Sequence, residues 1–583
     1  MGLARAGTGR RLRALPGIVE ALPWWASALV GVGAVVLGFL LLTRPLSSLG
    51  VLTVYICLSC LASGVRDLVR GDAALLGAAW ALLGVAVLVR LGTSIELLPR
   101  VLGVALLVSG VARLLEVRRP DTADARVASA LFGVADLVFG VLALAWPDVT
   151  LLVVAVLFGA RTVLFGLAQV GDALRRRRGS DDRPSPTRGP LRRWARTGGA
   201  VAVALLAVGA LVVSGRIDAA SPVVDDFYSA PSDVPTTPGV LLRSEPFTRE
   251  VPADARAWRI LYTTTRDEGE PAVASGIVLV PRTGAEHPVI AWAHGTTGYA
   301  EGCAPSLLPE PFASGGLPAL DQAVARGWAL VATDYVGLGT AGPHPYLIGQ
   351  GEARSVLDAV RAARQLETAS LADRTVVWGH SQGGHAALWT GQVQPTYAPD
   401  VPLSGVAAMA PAADTLAITE HLPDVTGGSV FASFVIEAYA ATYPDVDVDA
   451  LVIPHARTLV REMATRCLSE PGVLVSVLSA LSISRDRPIF AVDPTTGVFG
   501  QRLAQNTPTG PVEAPLLVAQ GLADPLIPPD AQQAYVARLE ASGQALDYRT
   551  YAGRDHMGLV ADDSPFIPEL LAWTAERFAS TGG

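Results

Sequence analysis

Apolar residues run through the first third of this chain almost without interruption, and then the rhythm changes. Stretches 24–43, 48–65, 73–90, 99–116, 128–146 and 149–171, followed by a seventh at 198–214, carry few charges. Each is about as long as a helix needs to cross ~30 Å of hydrocarbon. A cleaved signal peptide would account for the first stretch alone. Beyond residue 240, short β-branched and aromatic runs alternate with helical ones, as a parallel sheet covered by helices requires. Strands are expected at 275–280, 289–293, 328–333, 375–378, 405–410, 516–519 and 548–551, with a helix over 351–367. Residues 215–240, which include Pro222, Pro231, Pro235 and Pro238, read as a linker between the two regimes.

Composition agrees with a chain of two kinds. Half of the 583 residues are hydrophobic, 17% are charged and the mean hydropathy is +0.39, which excludes a disordered polymer. The first six stretches are three copies of one unit. Ala28-Leu29-Val30-Gly31 realigns with Ala130-Leu131-Phe132-Gly133, and the same shift of 102 residues carries Gly38 onto Gly140, Pro45 onto Pro147 and Gly64 onto Gly166. A shift of 46 carries Gly31, Gly38 and Gly64 onto Gly77, Gly84 and Gly110. Each copy is expected to be a helical hairpin whose glycines let helices approach closely. This pattern over residues 24–171 resembles the HdeD family of six-helix membrane proteins.

Charge sets the expected topology. Up to Gly215 there are 23 arginines against 12 acids; after it, 22 arginines face 41 acids, and lysine is absent throughout. The acidic half lacks the clustered positive charge that nucleic acid requires, so no nucleic-acid partner is expected. Arg5, Arg10, Arg11 and Arg13 precede the first span, Arg66 and Arg70, then Arg118, Arg119 and Arg126, occupy alternate loops, and Arg175–Arg178 with Arg183, Arg188, Arg192, Arg193 and Arg196 follow the sixth. The positive-inside rule puts all of them in the cytoplasm, with 172–197 a basic linker. Seven spans then take residues beyond 214 outside the cell membrane. Asp136 and Arg161 fall within the fifth and sixth spans, as an ion pair that fixes helix packing or as part of a solute path.

The second half carries the chemistry. Gly379-His380-Ser381-Gln382-Gly383 has the G-x-S-x-G form, weak alone but set between the strand-like TVVW and the helical GGHAALWT. That strand–turn–helix setting pushes a serine hydroxyl out of a tight turn, which makes Ser381 the candidate nucleophile. In this fold the order is serine, acid, histidine. His556, just after a strand-like run, is the candidate base, in preference to His421 and His455 in helical insert sequence. Asp524 follows the apolar run PLLVAQG and is the candidate acid. Asp555 adjoins His556 and would point elsewhere, and Asp530 is expected to N-cap a helix. Backbone N–H groups of Gln382 and of Thr296, in the loop after AWAHG, are the candidate oxyanion donors. No metal or organic cofactor is implied, because no His/Cys/Asp cluster has ligand spacing.

The segments AWAHGTTG, CAPS, DYVGLG, HPYL and GHSQGGHAAL, in that order, resemble the secretory lipase family of α/β hydrolases over about residues 240–580. The resemblance implies carboxylic ester hydrolysis, often of triacylglycerols, with Ser381, Asp524 and His556 as triad and a helical lid before the acid. The 142 residues between Ser381 and Asp524, with apolar runs inside 412–510, leave room for such a lid. The expected architecture is therefore an all-α transmembrane bundle followed by an α/β-hydrolase domain at 241–583, acting on lipid or other acyl esters. Cys303 and Cys467 would form a disulfide if that half is exported, with unpaired thiols the alternative, while Cys57 and Cys60 read as packing residues. An acyltransferase or peptidase using the same triad, or a stress or transport protein with an accessory hydrolase, remain alternatives. Acyl-chain length and oligomeric state are not legible.

Overall fold

The computed structural model describes residues 23–70, 74–89, 91–117, 123–177, 190–284, 286–484 and 489–579. Arg5, Arg10, Arg11, Arg13, Arg118, Arg119, Arg178, Arg183 and Arg188, on which much of the expected orientation rests, lie outside them. The chain divides into two compact units, one holding Met1–Ser214 and the other most of Gly215–Gly583.

Among the described residues seven helices make up the first unit: α1 (Trp24–Thr43), α2 (Pro45–Arg70), α3 (Ala74–Val89), α4 (Leu91–Glu116), α5 (Ala123–Ala145), α6 (Pro147–Arg177) and α7 (Pro190–Ala219). Among the described residues five segments are long and apolar enough to cross a membrane, in α1, α4, α5, α6 and α7. The expected spans at 48–65 and 73–90 fall on α2 and α3, but α3 as described has 16 residues, about 24 Å of rise. The polar end of α2, with Arg66, Asp67 and Arg70, shortens its apolar part. Large side chains such as Leu29, Val32, Phe39 and Leu205 face outward, the reverse of a water-soluble core.

Partner choice differs from a set of self-contained hairpins. The closest packing joins α1 to α6, α2 to α3 and α4 to α5, each pair drawn from two different repeats, while α2, α4 and α6 touch one another. The repeat glycines explain this, because they face across those pairs. A Cβ on Gly31 would lie 2.8 Å from the Gly166 carbonyl oxygen, and one on Gly110 would lie 2.7 Å from that of Gly133. Asp136 does not pair with Arg161. It accepts from Ser109 Oγ (2.8 Å) and meets Arg113 Nε (3.0 Å), residues one turn apart on α4, because α5 packs there. Arg161 lies on an exposed face of α6. Cys57 and Cys60 are buried free thiols.

Among the described residues the second unit is built on nine strands: β1 (Leu241–Phe247), β2 (Ala255–Thr265), β3 (Pro271–Pro281), β4 (His287–Ala293), β5 (Ala329–Thr333), β6 (Leu371–His380), β7 (Leu403–Met409), β8 (Leu516–Gly521) and β9 (Asp547–Tyr551). Their order in the sheet is β1-β2-β3-β5-β4-β6-β7-β8-β9. From β5 onward along this order the strands run parallel, whereas β1, β2 and β3 form an antiparallel edge. The edge strands β1 and β2 add to those expected from sequence; interspersed Arg243, Glu245, Pro246 and Arg259 hide their alternation.

Successive residues of β4 face opposite cores, as a strand covered on both sides requires. Val289 and Ala291 join the core shared with α9 (Gly349–Ala363) and α10 (Gln382–Tyr397), whereas Ile290 and Trp292 join that shared with α8 (Leu320–Ala325) and the C-terminal helix Phe566–Ala579. Between β7 and β8 stand the helices Thr415–His421, Gly428–Thr442, Val448–Leu451, Arg457–Ala464, Val473–Ser484 and Gly497–Gln505. A disulfide joins Cys467 of this insert to Cys303, with Cα atoms 5.2 Å apart. This is an α/β-hydrolase fold, and ligands of such sheets bind at the carboxyl ends of the parallel strands.

Candidate active site

Strand β6 ends at His380 and helix α10 begins at Gln382, so Ser381 makes the turn alone. Its φ of 59° and ψ of −119° lie where a residue with a Cβ rarely goes. Backbone bonds hold it there: Ser381 N–H donates to the Met409 carbonyl (2.9 Å), and its own carbonyl accepts from Ala412 N–H (3.0 Å). Two glycines make the turn possible. A Cβ on Gly379 would collide with the Gly383 carbonyl, and one on Gly383 with the Ala293 carbonyl at the end of β4.

The turn brings three distant residues into one hydrogen-bonded line. Ser381 Oγ lies 2.9 Å from His556 Nε2, and His556 Nδ1 lies 2.8 Å from Asp524 Oδ2. Asp524 follows β8 and is buried; its other oxygen accepts from Leu526 and Ile527 N–H, both at 2.9 Å. Burial pushes the Asp524 carboxyl up, but the hydrogen bond and charge of His556 and those two amides outweigh it, so it sits below the usual carboxylate range. An ionised Asp524 fixes Nδ1 as the donor, which leaves Nε2 free to accept the serine proton. Such a chain can turn a hydroxyl into a nucleophile.

The alternatives weighed in the sequence stay outside this line. Asp555 accepts from Gly558 N–H, Asp530 sits within the first turn of helix Pro529–Ala541 with Pro528 at the cap, and His421 Nε2 contacts the Pro525 carbonyl (3.0 Å). Asp530 is thus not the N-cap, since Pro528-Pro529 starts that helix two residues earlier. His380 is buried against the His556 ring, 4.7 Å between centroids, and contacts the His556 carbonyl through Nε2 (3.0 Å). Burial and the neighbouring His556 push its pKa down to about 3.

The loop after β4 lies beside the first turn of α10, since a Cβ on Gly383 would also meet the His294 carbonyl at 2.7 Å. Among the described residues, neither the Gln382 nor the Thr296 N–H has an acceptor. Sequence reasoning missed what lies behind them. Gln382 Nε2 donates to Glu352 Oε1 (2.8 Å), and Glu352 Oε2 lies 2.8 Å from His385 Nδ1, with both residues of that pair fully buried. Only the HPYL segment and the GHSQGGH run, noted for family likeness, marked the place.

Fold and hydrogen-bonded line together have the form in which hydrolases of the α/β class carry a serine nucleophile. Residues 317–582 match the secretory lipase family, and residues 29–72, 75–138 and 131–184 match a short repeat of unknown function (DUF308), one match on each helical repeat. Three relatives illustrate the likeness. A probable inactive lipase of Mycobacterium tuberculosis is 28% identical over 385 residues, 61% of this chain and 82% of that one. Lipase A of Moesziomyces aphidis is 24% identical over 64% of this chain and 83% of its own. A secreted triacylglycerol lipase of Malassezia globosa is 26% identical over 56% and 74%. Candida antarctica lipase A in its closed state has a TM-score of 0.49 at 19% identity, covering 62% of this chain and 87% of that structure. The second unit is a lipase-type carboxylic ester hydrolase.

Proposed function

We propose that this chain is a membrane-anchored serine esterase that cleaves lipid acyl esters by an acyl-enzyme route. Ser381 attacks the ester carbonyl while His556, oriented by Asp524, takes its proton and returns it to the leaving alcohol; water then repeats the cycle on the acyl-serine. The amides of Gln382 and Thr296 stabilise the oxyanion. The observation that carries the reading is the Asp524–His556–Ser381 line at a strained turn. The triacylglycerol lipase among the relatives supports a glyceride substrate, and the apolar helices Gly428–Thr442 and Val473–Ser484 supply a lid suited to acyl chains.

The seven apolar helices act as the anchor, with the N-terminus and the basic linker 172–197 in the cytoplasm and 241–583 outside. The Cys303–Cys467 disulfide supports an oxidising compartment. Because one relative carries the name of an inactive lipase, turnover itself is the test. The purified full chain should hydrolyse nitrophenyl esters, and Ser381→Ala should lower kcat/KM by about 10⁴- to 10⁶-fold. Serine-independent hydrolysis would refute the mechanism. Cysteine labelling at residue 225 but not at residue 185 from outside the cell is the expected topology result; the reverse pattern removes the orientation.

A further inference from the structure

Two separate segments, the start of α10 and the loop after β4, supply the proposed oxyanion donors, and a donor out of place by a fraction of an ångström loses much of its effect. What fixes them is therefore part of the chemistry. Gln382 is the first residue of α10, and its side chain turns inward. Besides the bond to Glu352, its Nε2 lies 2.9 Å from His344 Nε2. Thr296 turns inward as well, and its Oγ1 shares a 3.0 Å hydrogen bond with the Tyr346 hydroxyl. His344 and Tyr346 stand two residues apart, so a single short segment touches the side chains of both donors.

That segment is unusual in itself. Residues 344–348 are buried yet belong to neither a helix nor a strand, and buried irregular backbone persists only when its polar groups are satisfied. Here they are. Leu347 N–H donates to Glu352 Oε1 (3.1 Å), the Leu347 carbonyl accepts from the Tyr439 hydroxyl (2.9 Å), and Ile348 N–H donates to the Pro345 carbonyl (3.0 Å). Leu347 is held at φ 54°, a left-handed conformation that only such over-determination sustains. Burial pushes the His344 pKa down to about 3, which keeps the ring neutral. Its Nδ1 meets the Val336 carbonyl (3.3 Å), so Nε2 presents its lone pair to the Gln382 amide.

Glu352 closes the arrangement. One carboxylate accepts from Leu347, Gln382 and His385 together, and His385 Nε2 in turn meets the Asn506 carbonyl (2.7 Å) at the end of the insert. We propose that His344, Tyr346 and Glu352 are positioning residues that hold the Gln382 and Thr296 amides as one preformed oxyanion hole. The inference rests on the oxyanion assignment made above and extends it to residues that never touch substrate. The clamp acts through geometry, so it stabilises the tetrahedral intermediate and leaves ground-state binding unchanged.

The test uses the full chain in detergent with a soluble nitrophenyl ester. Tyr346→Phe removes one hydroxyl without changing packing and should lower kcat about 10-fold; Glu352→Gln should lower it up to about 100-fold, short of deleting a donor outright. KM should stay within about 2-fold, and the Ki of an alkyl boronic acid, whose serine adduct is tetrahedral, should weaken in parallel with kcat/KM. Rates are normalised to active sites titrated with a fluorophosphonate. A merely structural role would lower the titre or the melting temperature and leave kcat per site and Ki alone, and that outcome overturns the clamp. So does wild-type kcat and Ki in Tyr346→Phe, which decides the matter even if Glu352→Gln does not fold. If Ser381→Ala is dead while the clamp variants match wild type, only the clamp fails. If Ser381→Ala turns over ester like wild type, or wild type has no turnover, the hydrolase mechanism fails and takes the clamp with it.

Discussion

Glycine brings backbones together in both units, but to different ends. In the helical unit Gly31, Gly110 and Gly166 let helices of different repeats touch, and the same contact recurs around the bundle with apolar side chains left facing outward. In the hydrolase unit Gly379 and Gly383 serve one place, where strand, turn and helix converge on Ser381, and the surroundings are polar and buried. Glu352, His385 and His344 are all enclosed there with hydrogen-bond partners. Repetition with an outward apolar surface is what a bilayer selects; a single strained turn backed by a polar network is what chemistry selects.

The largest effect should come from a polar group of the second unit whose counterpart in the first is inert. Asp524→Asn keeps the shape but makes the acid a poor acceptor for Nδ1–H, so His556 takes the wrong tautomer and kcat should fall about 10⁴-fold. Asp136→Asn, which alters the part-exposed pair with Arg113, should leave kcat on soluble esters within about 2-fold, since that pair belongs to the unit that holds none of the Asp524–His556–Ser381 line. Initial rates on the two purified variants check both. Equal losses would mean that the units are not chemically separate.

Much of this was legible along the chain because it is local or ordered. Ser381 stood in a strand–turn–helix pattern, His556 and Asp524 followed in the order that the fold demands, and the helical stretches announced themselves by length. What could not be read depends on tertiary choice. Spacing says that a helix carries glycines, but not that α1 meets α6 rather than α2, nor that Asp136 turns to Arg113 instead of Arg161. The clamp was invisible for the same reason. Glu352 and His385 are 33 residues apart on two helices, and each alone reads as an ordinary helical polar residue. Strands β1 and β2 were obscured because an antiparallel edge tolerates charge that a central parallel strand excludes.

Acid should separate the units next. All eight histidines follow Gly215. His294, His344 and His380 have pKa values pushed down to about 4, 3 and 3 by burial, against an ordinary value near 6.5. The unfolded chain therefore binds protons first. Stability from these groups is complete above about pH 6.5 and is lost as pH falls toward 3–4, at up to about 1.4 kcal/mol per pH unit for each. Burial raises the carboxyls of Asp334 and of Asp267, the latter to about 6, and these act in the opposite sense and offset part of the loss. Denaturant titrations at pH 7 and pH 5 should show ester hydrolysis and near-UV signal failing earlier at pH 5, with helical far-UV signal retained longer. Coincident transitions at both pH values would argue that the units unfold as one.

The smallest effect tests the glycines of the bundle. At Gly31 a Cβ would lie 2.8 Å from the Gly166 carbonyl and from a methyl group of Val170, whereas at Gly33, two residues along the same helix, it would meet nothing within 4 Å. Gly31→Leu must part α1 from α6 and should cost about 1–3 kcal/mol by overpacking, read as a lower melting temperature in detergent. Gly33→Leu should leave the melting temperature unchanged or slightly higher, because leucine is the better helix former. Neither should change kcat per titrated active site if the bundle serves as an anchor. A loss of kcat in Gly31→Leu alone would instead tie helix packing in the first unit to the geometry around Ser381, and the division of labour between the two uses of glycine would fall.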